Sequence, residues 1–202
     1  MKNISVFVSY LFHPVFIPLV GIFIIMNSGT YASLADKEVL KILYLIAGTF
    51  TILLPVGLLP LYLFTGIIRN IHIDEHRRRI IPYFITFVLL YTTYILIKKL
   101  PLSAFVTSFM FASAMTVLLL LIISYFWKIS SHMAGAGGLT GLIMCLSMML
   151  SADLMYYLIV ALMLGGILAS ARLYLDAHNG TQVFLGFLLG LVTVFSICVI
   201  YA

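Results

Sequence analysis

The chain has 202 residues, of which 64% are hydrophobic and 8% charged; that leaves too little polar surface to cover a soluble domain, so the chain reads as an integral membrane protein. Eleven Lys and Arg against six Asp and Glu give a formal charge of +5. The cations lie between apolar runs and no basic face is interleaved with exposed aromatics, which argues against nucleic acid as a partner and for an anionic lipid head group or phosphate.

A spanning helix needs roughly 20 apolar residues, and nothing in the sequence shows the alternation of a barrel strand. The expected fold class is therefore all-α: one integral membrane domain over 1–202, a polytopic helical bundle of six to seven transmembrane helices embedded in the lipid bilayer. Apolar runs occur at about 11–27, 39–65, 81–97, 103–126, 133–150, 153–171 and 181–201. The first run carries His13-Pro14 and Pro18 and lacks a small-residue cleavage site, so it is read as a retained span rather than a signal peptide. It crosses fully in a seven-span arrangement; the count falls to six if this run is re-entrant or if the Gly-rich fifth run is partly so. Proline frees carbonyls and bends a helix, so His13-Pro14 either shapes the bundle wall or sets His13 as an extra phosphate or lipid contact. Cys145 and Cys198 fall inside apolar runs and read as buried small residues.

Three polar islands interrupt the runs. The first is His72-Ile-Asp-Glu-His-Arg-Arg-Arg-Ile-Ile-Pro82, the second Lys128-Ile-Ser-Ser-His-Met-Ala-Gly-Ala-Gly-Gly138, and the third extends from Arg172 through His178 to Gln182. Successive hairpins return the chain to one membrane face, so Arg77 to Arg79, His132, Arg172 and His178 share that face, and His13 joins them if the first span crosses. Asn27 to Glu38, Lys98 to Pro101 and Ser151 to Asp153 lie opposite. Counted literally, the positive-inside rule puts the island face in the cytoplasm. Arginines reserved for phosphate, however, are not a topology signal.

In the third island His178 and Gln182 form an i, i+4 pair near a helix N-terminus, where an anion is favoured and a neutral imidazole can attack phosphorus. In the second, Ser131, His132 and the glycines from Gly135 onward offer a hydroxyl, exposed N–H groups and a second imidazole as proton donor. The same glycines also suit close packing of membrane helices. Arg78 and Arg79 supply a bidentate phosphate clamp, with a solvated basic loop as the alternative.

Together the islands resemble the type 2 phosphatidic acid phosphatase superfamily of membrane lipid phosphatases, over about residues 75–190. Its later motifs, approximately P-S-G-H and S-R-x5-H-x3-D, correspond to Ser130-Ser131-His132 and to Ala171-Arg172-x5-His178-x3-Gln182. The resemblance implies catalytic roles for His178, the nucleophile forming a phosphohistidine, and His132, the general acid. It implies phosphate ligands in Arg78, Arg79, Ser131, Gly135 and Arg172, an orienting role for Gln182, a membrane lipid phosphate as substrate, no metal or other cofactor, and a multi-pass place in a bacterial-type inner membrane. Gln182 stands where the family has Asp, and an amide supplies no charge. The family's K-x6-R-P is also absent: Arg79 is followed by Ile-Ile-Pro82 and His72 stands seven before it. The competing expectation is a non-catalytic relative that binds, transports or assembles around a lipid phosphate. The string His72-x-x-Glu75-His76 matches an inverted zinc protease motif, but no Glu follows Glu75 to complete a ligand set.

Overall fold

The structure, a computed structural model, describes residues 2–65 and 79–202. Every regular element among them is helical: α1 (Lys2–Leu11), α2 (Ile17–Met26), α3 (Lys37–Gly48), α4 (Leu54–Phe64), α5 (Ile80–Ile97), α6 (Ala104–Ile123), α7 (Ser131–Leu150), α8 (Met155–Tyr174) and α9 (Gly180–Tyr201). Among the described residues seven stretches are long and apolar enough to cross a membrane, with α1 and α2 making up the first and α3 and α4 the second. The protein is thus an all-α, multi-pass membrane bundle.

The first span begins at Lys2, earlier than its apolar run, because α1 is amphipathic. Ser9 is buried while Ile4, Phe7 and Leu11 face outward. The helix stops at His13, whose extended backbone suits a residue preceding proline. The His13 Nδ1 accepts the Val15 N–H at 3.2 Å, and a single 3-10 turn, Pro14–Phe16, leads into α2. Ten residues of α2 rise about 15 Å, half the hydrocarbon thickness. The break therefore falls within the bundle, beside the start of α7, where a Cβ on Gly135 would touch Pro14 and Ile17.

The second span contains a five-residue π segment, Thr49–Leu53, in which the Leu54 N–H bonds the Thr49 carbonyl. Pro55 follows and has no N–H to offer the carbonyl four residues back, so the wider turn absorbs a proline that a straight helix would not.

At the centre α7 and α9 run parallel and almost backbone to backbone. A Cβ on Gly137 would strike the Phe187 carbonyl, and one on Gly190 the Ala134 carbonyl. Those two glycines serve helix packing. Around this pair the core closes with Ile22, Ile25, Phe105, Phe109, Leu142 and Leu146, all buried. Because α7 and α9 are parallel, both N-termini open on one face, together with the N-terminus of α5.

Candidate functional site

At that face a cavity of about 560 Å³ opens between the broken first span, the π segment, α5, α6 and α7. Its polar end is walled by Ser9, His13, Arg79, Ser131, His132, Arg172 and His178; farther along the helices it is walled by apolar side chains such as Leu90, Phe109 and Val194. Six of the residues singled out in the sequence therefore meet in one chamber, although Arg79 and His178 are separated by 99 positions. Gly135 also lines it, at the level of Pro14. Arg78 and the His72 to His76 string lie outside the described residues.

His178 occupies the short connection between α8 and α9. Its Nδ1 lies 3.0 Å from the Gln182 Oε1. The same oxygen accepts the Asn179 backbone N–H at 3.3 Å, while the Asn179 Oδ1 accepts the Gln182 N–H at 2.9 Å. This is a capping box at the start of α9. An amide oxygen only accepts, so Nδ1 carries the proton and Nε2 of the neutral ring is left with its lone pair. Burial drives the His178 pKa down from 6.5 to about 3, assisted by the positive charges of Arg79, Arg172 and Lys128 and opposed by the bond to Gln182. The ring is neutral throughout the physiological range.

The connection itself is shaped by Asp176, which has a left-handed backbone with φ 50°, and by a bond from the Ala177 N–H to the Arg172 carbonyl at 3.2 Å. Gln182 rather than Asp176 is the partner of the ring.

Arg172 ends α8, and Arg79 precedes α5; only 5% and 9% of their surfaces are exposed. The Arg172 Nη1 donates to the Ser9 Oγ at 3.2 Å, and the Arg79 Nη1 donates to the Ile129 carbonyl at 3.2 Å. Each guanidinium is thereby anchored to the backbone or side chain of a neighbouring element at the cavity wall. Ser131 opens α7 and lines the cavity, whereas its neighbour Ser130 is fully buried and caps the helix through the Met133 N–H. The Ser130 N–H in turn bonds the Gln182 carbonyl at 3.3 Å, tying the two helix starts together.

His132 stands one position farther along α7. Its Nε2 donates to the Ser9 carbonyl at 3.1 Å, which leaves Nδ1 for proton exchange. Its ring meets His13 edge to face, with centroids 5.3 Å apart.

Ser9 is the residue that sequence reasoning missed. It holds both His132 and Arg172 while donating its own hydroxyl proton to the Ser5 carbonyl at 2.9 Å. The available signal was the i, i+4 spacing of Ser5 and Ser9 on an otherwise apolar helix. Lys128 and the π segment are further contributors that motif spacing did not indicate.

Compared with models of known families, with curated proteins and with solved structures, the chain has no match in any of the three.

Proposed function

We propose that the protein is a membrane lipid phosphate phosphatase of the type 2 phosphatidic acid phosphatase kind, acting through a phosphohistidine. One observation carries this reading. The Gln182 oxygen fixes the Nδ1–H of a neutral His178 in a cavity walled by Arg79 and Arg172, so an aimed Nε2 nucleophile stands beside two guanidinium groups. Such an arrangement matches what attack on a phosphate requires: a deprotonated nitrogen and fixed positive charge where negative charge develops.

In the reaction the Nε2 lone pair forms an N–P bond as the bond from phosphorus to the lipid oxygen breaks. His132, which takes up a second proton at Nδ1 when the phosphate dianion binds beside it, delivers that proton to the oxygen, and the lipid leaves as an alcohol. Water then attacks the phosphohistidine, His132 recovers a proton from it, and inorganic phosphate departs. Arg79, Arg172 and Ser131 hold the non-bridging oxygens, while the apolar part of the cavity takes the chain. A polyprenyl diphosphate would be cleaved by the same displacement.

The test is phosphate release by the detergent-solubilised protein from phosphatidic acid, phosphatidylglycerophosphate and a polyprenyl diphosphate. Release is expected from at least one and is expected to vanish in His178→Ala. Release that survives His178→Ala overturns the mechanism.

The neutral amide of Gln182 favours a second reading, a protein that binds or moves a lipid phosphate without hydrolysing it. It predicts lipid phosphate binding that depends on Arg172 but no burst of phosphate under any condition.

A further inference from the structure

We infer that His13 is a further catalytic residue of the proposed reaction: a neutral imidazole that donates one hydrogen bond, from Nε2, to the lipid oxygen that leaves phosphorus. The inference rests on the phosphatase reading of the cavity and gives that reaction a residue outside the motifs by which the chain resembles lipid phosphatases.

The first span is interrupted at this residue. His13 has an extended backbone ahead of Pro14, and the turn that follows packs closely on Gly135, where a Cβ would press on Ile17. An imidazole midway along an apolar span is costly, which makes it a candidate for use. It is also within reach of a ligand. Of the residues at the polar end of the cavity, His13 is exposed, Ser131 and His132 are half-buried, and Ser9, Arg79, Arg172 and His178 are buried. The bond from the Val15 N–H, at 3.2 Å, fixes its proton. Nδ1 accepts that bond and so carries no hydrogen, which puts the hydrogen of the neutral ring on Nε2. A second proton on Nδ1 would face the Val15 N–H and break the bond, so His13 is held as a donor. His132 is the complement: its Nε2 is committed to the Ser9 carbonyl, and its Nδ1 is the atom that exchanges a proton.

The ring contact decides which oxygen His13 serves. The two imidazoles meet edge to face with centroids 5.3 Å apart, so His13 stands on the side of the acid. Displacement at phosphorus sets the attacking nitrogen and the leaving oxygen roughly in line, on opposite sides. With His178 attacking and His132 protonating, His13 is therefore on the leaving side. The N–P bond forms, the bond from phosphorus to the lipid oxygen breaks, and the proton of the product alcohol comes from His132 alone. His13 keeps its proton and stabilises the negative charge that builds on the oxygen as the bond stretches. An oxygen has lone pairs for both imidazoles. The phenols of Tyr10, Tyr62 and Tyr83 also line the cavity; the contact with the acid is what singles out His13.

The experiment measures the phosphohistidine burst, kcat and KM on two substrates. Phosphatidic acid has an alkoxide leaving group that needs a proton; 4-nitrophenyl phosphate has a phenolate that leaves without one. The proteins are wild type, His13→Phe, which keeps a ring against His132 but has no donor, His13→Asn, whose Oδ1 still accepts the Val15 N–H but whose donor falls short, and His13→Gln, whose N–H reaches as far as Nε2. On phosphatidic acid His13→Phe and His13→Asn should slow the burst and kcat about tenfold to a hundredfold, the worth of one hydrogen bond to a charged acceptor, with KM within about twofold. On 4-nitrophenyl phosphate both should stay within about twofold of wild type, and His13→Gln should recover phosphatidic acid turnover to within about fivefold. Lipid-free His13→Asn, which keeps the bond to Val15, should melt as wild type does. Equal losses on the two substrates, a loss confined to KM, or no loss on phosphatidic acid overturns the role of His13. Phosphate release that requires His178 but is indifferent to His13→Phe and His13→Asn sinks this inference alone. A wild-type protein that shows no His178-dependent release from either substrate sinks the phosphatase reading as well.

Discussion

Replacing Gln182 by Glu puts a carboxylate where the structure has an amide, with the same number of side-chain carbons. The Gln182 Oε1 already sits 3.0 Å from the His178 Nδ1 and 3.3 Å from the Asn179 N, and a Glu oxygen accepts both bonds unchanged. Glu at the third position of a helix whose cap is Asn179 also completes a charged capping box and faces the positive end of α9, so the fold is expected to tolerate it. What changes is the stabilisation of positive charge on the imidazole as Nε2 bonds phosphorus. Two unit charges about 4 Å apart attract by about 4 kcal/mol at an effective dielectric of about 20. If a quarter of that is realised in the transition state, phosphorylation of His178 accelerates about fivefold; if half is realised, about thirtyfold. The same charge should lift the His178 pKa from its value of about 3 toward the ordinary imidazole range. The assay is the pre-steady-state burst of phosphohistidine and the steady release of phosphate, each measured against pH. A Gln182→Glu protein that folds, binds lipid phosphate as wild type does and shows no gain in either rate would refute the assignment of His178 as nucleophile.

Three further outcomes follow from the same geometry. His178 is buried and neutral in the native state, with a pKa of about 3 against 6.5 unperturbed, so above pH 6.5 it is neutral folded and unfolded alike and contributes no pH dependence. Below that the unfolded chain takes up a proton that the native site refuses, and stability falls by about 2 kcal/mol at pH 5; melting curves of wild type and His178→Asn should converge accordingly between pH 7.5 and 5, and parallel curves would contradict it. Ser9→Ala takes from Arg172 the hydroxyl it donates to, at a cost of about 1.5–3 kcal/mol for a bond to a charged group, and should raise KM for lipid phosphate more than it lowers the melting temperature of the lipid-free protein; unchanged kinetics would remove α1 from the site. Gly190→Val drives a side chain into the Ala134 carbonyl and should cost at least about 2 kcal/mol, whereas Gly166→Val, where nothing lies within 4 Å, should be nearly silent; thermal melting in detergent separates them.

The spans were legible because the bilayer imposes one crude requirement, about twenty apolar residues, and the runs from α5 to α9 meet it within two or three positions of the helices observed. The meeting of Arg79, His132, Arg172 and His178 was legible for a related reason. Counting crossings fixes which ends share a face, and α7 and α9 must then be parallel. Local bonding was less visible. The pair His178 and Gln182 follows from i, i+4 spacing, but the Asn179 cap that immobilises the amide depends on a backbone turn that begins with a left-handed Asp176. Ser9 was hidden because Lys2, Asn3 and Ser5 keep the start of α1 from reading as an apolar run.

Under the proposed mechanism the cations at the cavity mouth serve two steps with opposite charge requirements. Burial, reinforced by Arg79, Arg172 and Lys128, keeps His178 deprotonated before a phosphate binds, which is the state a nucleophile needs. A bound phosphate dianion cancels much of that field and supplies negative charge beside the ring, so the penalty on a positive imidazole is relieved as the N–P bond makes it positive. In the phosphatase superfamily that the polar islands resemble, an Asp at the position of Gln182 would hold that counter-charge permanently. Here it must arrive largely with the substrate, and the barrier to forming the phosphohistidine becomes sensitive to how deeply the phosphate is drawn between the two guanidinium groups. Ser9 and the Ile129 carbonyl, which anchor those groups from behind, are on this account part of the electrostatics of the reaction, even though neither needs to touch the lipid.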